Sequence, residues 1–169
     1  QHPAEEEISI RENTSWSCHH GVLRWSGVCE CAQHAEWKKP LRRALNEIAG
    51  MVDRFYLLAV EPYLEDPWEL RHGYARVLCK EITIREYIRS SIPRELNDQE
   101  IHRIRYLLAA QYERQRMFTS CGWFFDDFDR IEPRNNIAYA AQAVWLLNEA
   151  IGIDLSKQAA EALRPVVSW

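Results

Sequence analysis

Between residues 41 and 59 the apolar side chains Leu41, Ala44, Leu45, Ile48, Val52, Phe55, Tyr56 and Ala59 recur at steps of three and four. That period places them on one face of a helix, and a strand would scatter them over both faces. Pro40 suits the first turn and Pro62 stops or kinks the far end. The same signals continue downstream. Asp66 caps a second helix that opens on Pro67 and carries Leu70, Tyr74, Val77 and Leu78 on one side, with Cys79 filling the core beside them. A short helix is expected over 84–90, stopping before Pro93. Asn97 followed by Glu100 forms a capping box for a fourth, with Ile101, Ile104, Leu108, Tyr112 and Met117 inward. A fifth runs from about Pro133 to Ile151 with Ile137, Ala141, Val144, Trp145 and Asn148 in register, and a last one lies between Asp154 and Pro165. Trp68 and Trp145 fall on these stripes and are expected in the core.

The fold class this predicts is all-α: a single helical-bundle-like domain over 1–169, with five to six helices. Residues 36–169 form its helical core and 1–35 a loop-rich layer of Cys, His and Trp, with one short strand at 8–10. The stretch Thr119-Ser120-Cys121-Gly122-Trp123-Phe124-Phe125-Asp126-Asp127 shows no helical stripe. A chain of 169 residues buries roughly two-thirds of its unfolded surface and needs no disulfide scaffold. Its net charge of −4 argues against a nucleic-acid partner, and no apolar run reaches the roughly 20 residues of a membrane span. No phosphate-cradling glycine loop and no Gly-x-Ser-x-Gly nucleophile motif is present. The chain starts Gln1-His2-Pro3 without an initiator Met or a signal region, so it is expected to be part of a longer protein. The cytoplasm is the expected compartment. Five cysteines cannot all pair internally, and in a reducing compartment clustered thiols bind metal or stay free.

The densest chemistry lies between Ser15 and Cys31. Cys18 and His20 form one close pair, Cys29 and Cys31 another, and a ten-residue loop joins them. Zinc takes four tetrahedral thiolate and imidazole ligands, and two close pairs joined by a loop supply them. Cys18, His20, Cys29 and Cys31 are therefore the candidate ligands of a structural zinc, with His19, His34 and Cys121 as spares. Cys18, Cys29, Cys31 and Cys121 would make an all-thiol set. The competing readings are inert buried thiols and a disulfide such as Cys18–Cys29.

Trp16, Trp25 and Trp123 lie in non-periodic stretches near Asn13, Arg24, Asp126 and Asp127. Aromatic faces beside such polar groups suit sugar binding, so Trp16, Arg24, Trp25, Trp123 and Asp126 are candidate substrate contacts. Large aromatics also fill cores, with the indole N–H bonded internally. Asp126, Asp127 and Asp129 invite a glycosidase acid/base reading, but adjacency alone does not place two carboxyls across a scissile bond. A capping or solvated acidic turn is the simpler expectation, and no catalytic residue is assigned.

Trp16-Ser17-Cys18, His20-Gly21, Arg24-Trp25, Cys29 and Cys31, then Trp37, Pro40-Leu41-Arg42 and Thr119 to Asp126, closely resemble a helical domain of the family-57 glycoside hydrolases. In one branch of that family the domain follows the catalytic barrel. The similarity runs from about Asn13 to Leu147. Glu30 stands where relatives usually have Gly, and His19 where they have a small residue. The resemblance implies a retaining α-glucan-acting enzyme whose catalytic carboxylates belong to an N-terminal barrel of the same polypeptide. Its implied partners are that barrel and an α-glucan or oligosaccharide, and its implied role is to shape the substrate cleft. A metal-binding or redox-sensing module without sugar contact is the expectation from a different class.

Overall fold

A computed structural model describes residues 8–15 and 17–167. Among them the regular structure is helical throughout, and no strand forms. The elements are α1 (Leu23–Ser26), α2 (Lys38–Val60), α3 (Pro67–Gly73), α4 (Ala75–Leu78), α5 (Ile84–Ser91), α6 (Asp98–Arg116), α7 (Cys121–Phe124), α8 (Ile131–Ile151) and α9 (Ser156–Leu163). Helices α1, α4 and α7 are single turns of four residues each, so the longer elements match the expected number. No helix is long and apolar enough to cross a membrane, among the described residues.

Local chemistry starts these helices where the sequence places the signals. The Asp66 carboxylate accepts from Trp68 N at 2.8 Å, with Pro67 at the first helical position. Thr83 with Glu86, and Asn97 with Glu100, both close reciprocal capping boxes. Each supplies partners for backbone N–H groups that a helix start otherwise leaves unpaired.

The core forms where α6 packs along α8 and α2 lies against α6, α8 and α9. Leu41, Leu45, Ile48 and Val52 of α2 meet Ile104, Leu107 and Leu108 of α6 and Ala143 and Leu147 of α8, all buried. Tyr56 donates its hydroxyl to Pro67 O at 2.6 Å and Tyr87 donates to Leu70 O at 2.6 Å, so two buried phenols anchor α3. Asp53 accepts from Arg114 Nη2 at 2.7 Å and from the buried Gln111 at 3.0 Å, tying α2 to α6.

Five sequence expectations differ from the structure, the first being Tyr112 of α6, expected inward but exposed. Ile8 and Ile10 are exposed and pair with no strand. Cys79 and Leu78 are exposed, because the second helix breaks at Tyr74 and the α4 turn rotates away from the core. On α8 the buried residues are Pro133, Asn136, Ala140, Ala143, Val144, Leu146 and Leu147, so the expected register is displaced and Ala141 lies outside. Trp145 is consequently exposed, its ring set edge-on to Tyr106 at 6.2 Å.

Candidate metal centre and adjoining surface

Cys18, His20, Cys29 and Cys31 come together. Their ligand atoms lie within 4.8 Å of one another. His20 Nδ1 stands 3.1 Å from Cys31 Sγ, 3.3 Å from Cys29 Sγ and 3.6 Å from Cys18 Sγ. Cys18 Sγ is 3.4 Å from Cys29 Sγ and 3.9 Å from Cys31 Sγ. A disulfide would hold two sulfurs about 2.05 Å apart, and all five cysteines are free. An ion bonded to sulfur at about 2.3 Å and to nitrogen at about 2.0 Å sets tetrahedral edges of roughly 3.5 to 3.8 Å. The five distances bracket those edges, so the cluster has the dimensions of a site that can hold a metal ion.

Backbone geometry explains the short pairs. Gly21 sits at φ +68°, in the left-handed region, and a Cβ there would stand 2.8 Å from Asn13 O. Glycine alone satisfies both demands, which accounts for the His20-Gly21 step. Between the pairs, α1 turns the chain, with Trp25 N donating to Val22 O and Gly27 N to Leu23 O. Among the other candidates, His34 and Cys121 are exposed and do not join the cluster, and the His19 ring lies 3.8 Å from that of His20, tilted by 42°.

Charge within the cluster is unevenly held. The Cys29 thiol is lowered from 9.0 to about 7, first by the backbone N–H of Cys31, against burial and helped by its side-chain neighbours. Cys31 is raised to about 11 by its bond to Cys29, by burial and by the charges of Cys18 and Cys29. The cluster therefore favours the thiolate at Cys29 and opposes a second one at Cys31, and a bound cation would relieve that opposition.

The two motif stretches meet beside the cluster. Arg24 Nη1 donates to Phe124 O at 2.6 Å across one hundred positions of sequence. Asp126 is the hub: its carboxylate takes Lys38 Nζ at 3.2 Å, Arg24 at 3.5 Å and Gln33 N at 3.2 Å, while its carbonyl accepts from Trp37 Nε1 at 2.6 Å. Arg42 donates to Trp25 O and lies over the Trp123 ring at 4.7 Å. Burial drives the Lys38 ammonium below its ordinary range, and the bond to Asp126 opposes that shift.

These placements revise the candidate sugar contacts. Trp123 is fully buried, stacked on Trp37 at 6.2 Å, and offers no face to a ligand. Arg24 and Asp126 are engaged with each other and with the backbone. Trp16 lies outside the described residues. Trp25 remains half-buried and walls a hollow of about 400 Å³ with Ser120, Cys121, Phe124, Phe125 and Glu132. Sequence reasoning missed Phe124, Phe125 and the buried Lys38; the aromatic run was the available signal for the first two. Asp127 accepts from Asp129 N at 2.9 Å in a local turn, and Asp129 meets Arg134 at 3.5 Å.

The chain matches the model of the family described as Domain of unknown function (DUF3536) over residues 33–168, and it belongs to that family. The matched span contains Asp126, Trp123 and the helical core, while the four clustered ligand residues precede it. No curated protein and no solved structure matches the chain.

Proposed function

We propose, from this family membership and the quoted motifs, that the chain is a cytoplasmic accessory helical domain of a family-57-type glycoside hydrolase acting on α-glucans. It packs against the N-terminal catalytic barrel of the same polypeptide and completes the substrate cleft, contributing no catalytic residue. The observation that carries this reading is the convergence of the two motif stretches, in which Arg24 of the first bonds Phe124 O of the second. Their side chains build one surface whose aromatic hollow of Trp25, Phe124 and Phe125 suits the C–H face of a sugar ring. A structural zinc on Cys18, His20, Cys29 and Cys31 holds that surface together.

The test uses the full-length enzyme. Trp25→Ala is expected to raise KM for a maltooligosaccharide about tenfold, with kcat and Tm little changed. This chain alone is expected to turn over no glucan, and turnover would refute the accessory role.

A second reading is a metal-binding module with no direct sugar contact. The burial of Trp123 and the mutual engagement of Arg24 and Asp126 favour it. Unchanged glucan kinetics and stability in the Trp25→Ala enzyme would select this reading.

A further inference from the structure

We propose that a bound zinc-class ion, rather than side-chain packing, folds residues 17–34 onto the helical core. The surface bearing Arg24, Trp25 and the aromatic hollow then forms only in the metal-loaded chain. This rests on the reading of the four-residue cluster as a metal centre.

Among the described residues before Ala35, the only buried side chains are Cys18 and Cys29, which are themselves ligands. The apolar side chains of the same layer, Val22, Leu23 and Val28, are exposed. Trp25 reaches the core but is only half-buried there. The layer has no apolar core of its own, so burial supplies little to offset the entropy of ordering it. Its one regular element, α1, has four residues, far too few to persist unaided.

Apart from the half-buried Trp25 and Arg24 over the Phe124 ring, what attaches the layer to the core is polar: Arg24 to Phe124 O, Gln33 N to Asp126, and Arg42 to Trp25 O. Such bonds exchange for bonds to water and hold a segment only once it is positioned. The cluster does the positioning. Cys18 and His20 precede α1, Cys29 and Cys31 follow it, and one ion on all four closes the loop that carries Arg24 and Trp25.

The donor set selects the ion class. Three thiolates and an imidazole Nδ1 suit a borderline-soft divalent ion and not magnesium or calcium, which take oxygen ligands. Four protein ligands leave no open position, so the ion would organise structure and perform no hydrolysis.

The full chain, purified without chelator, would be examined by elemental analysis, by cobalt(II) reconstitution and by amide hydrogen exchange before and after metal removal. One equivalent of metal and a thiolate-to-cobalt charge-transfer band are expected. On chelation, protection in residues 18–34 should fall by about 100-fold or more while α2, α6 and α8 keep theirs. Metal below about 0.1 equivalent with no cobalt band would sink both the cluster reading and this proposal. One equivalent bound, with equal protection after chelation, would overturn this proposal alone. Cys31→Ser should lose metal and protection together, whereas Cys79→Ser, exposed and outside the cluster, should keep both. Retained protection in metal-free Cys31→Ser would also overturn it.

Discussion

Lys38, whose side chain is entirely removed from solvent at the start of α2, ends 3.2 Å from the carboxylate of Asp126 in the loop after α7. An ammonium buried at that depth is tolerable only with a counter-charge, and the same carboxylate also faces Arg24 and Gln33 N. The pair therefore fixes how α2 and the aromatic segment meet.

Asp126→Asn is expected to destabilise the chain by about 2–4 kcal/mol, because the buried Lys38 ammonium loses its counter-charge and must stay unpaired or give up its proton. Lys38→Met combined with Asp126→Asn should recover a large part of that loss. Urea midpoints for the wild type, the two single variants and the double variant give the coupling directly. Additive losses would show that the two groups do not depend on each other.

Trp123 is predicted to be a core residue rather than a ligand contact. Its ring stacks with Trp37 and carries Arg42 over it, with no solvent-facing edge. Trp123→Ala should cost about 3–5 kcal/mol in thermal or urea unfolding. Trp123→Phe should cost far less than that, since its indole N–H has no hydrogen-bond partner to lose. A Trp123→Ala chain of native stability would contradict the packing described.

Particular residues show why some of this was legible in the sequence. Asn97 and Glu100, or Asp66 and Pro67, act within one turn, so their spacing alone locates helix starts. Likewise, Cys18, His20, Cys29 and Cys31 are two close pairs whose proximity the sequence already suggests. The buried face of α8 was not legible, because alanines and apolar residues surround the helix. Asn136 is buried there through its bonds to Thr119 at 2.9 and 3.2 Å, which apolar periodicity does not report. Trp123 sits in a four-residue helix, too short for a stripe, and its burial comes from partners far away in sequence. Lys38 was invisible for the same reason, since a distant carboxylate makes its burial tolerable.

The capping carboxylates give a pH dependence. Glu86 is held below its ordinary 4.5 by its bonds to the Thr83 hydroxyl and backbone, and Glu100 by Arg94 and the Asn97 N–H. A carboxyl depressed in the folded state contributes stability above its unfolded value and loses it as pH falls through the folded value. Stability should therefore decline from about pH 4.5 downward. Glu86→Gln and Glu100→Gln should each lower stability at pH 7 and flatten the acid limb in urea titrations at pH 7 and pH 3. An acid limb unchanged in both variants would assign the pH dependence elsewhere.

Gly21→Ala separates the N-terminal layer from the core. The position needs φ +68° and has Asn13 O where a Cβ would stand, so alanine must strain the His20 step or displace it. A left-handed conformation costs a non-glycine residue about 1–2 kcal/mol, which converts to roughly tenfold weaker metal binding if the ion requires the native loop. Competition against a chromophoric chelator measures that ratio. The helical core contains none of the displaced atoms, so the urea midpoint of the metal-free chain should be unchanged. Equal metal affinity in the variant would show that His20 reaches its position without the left-handed turn, and the link from Gly21 to the cluster would fall.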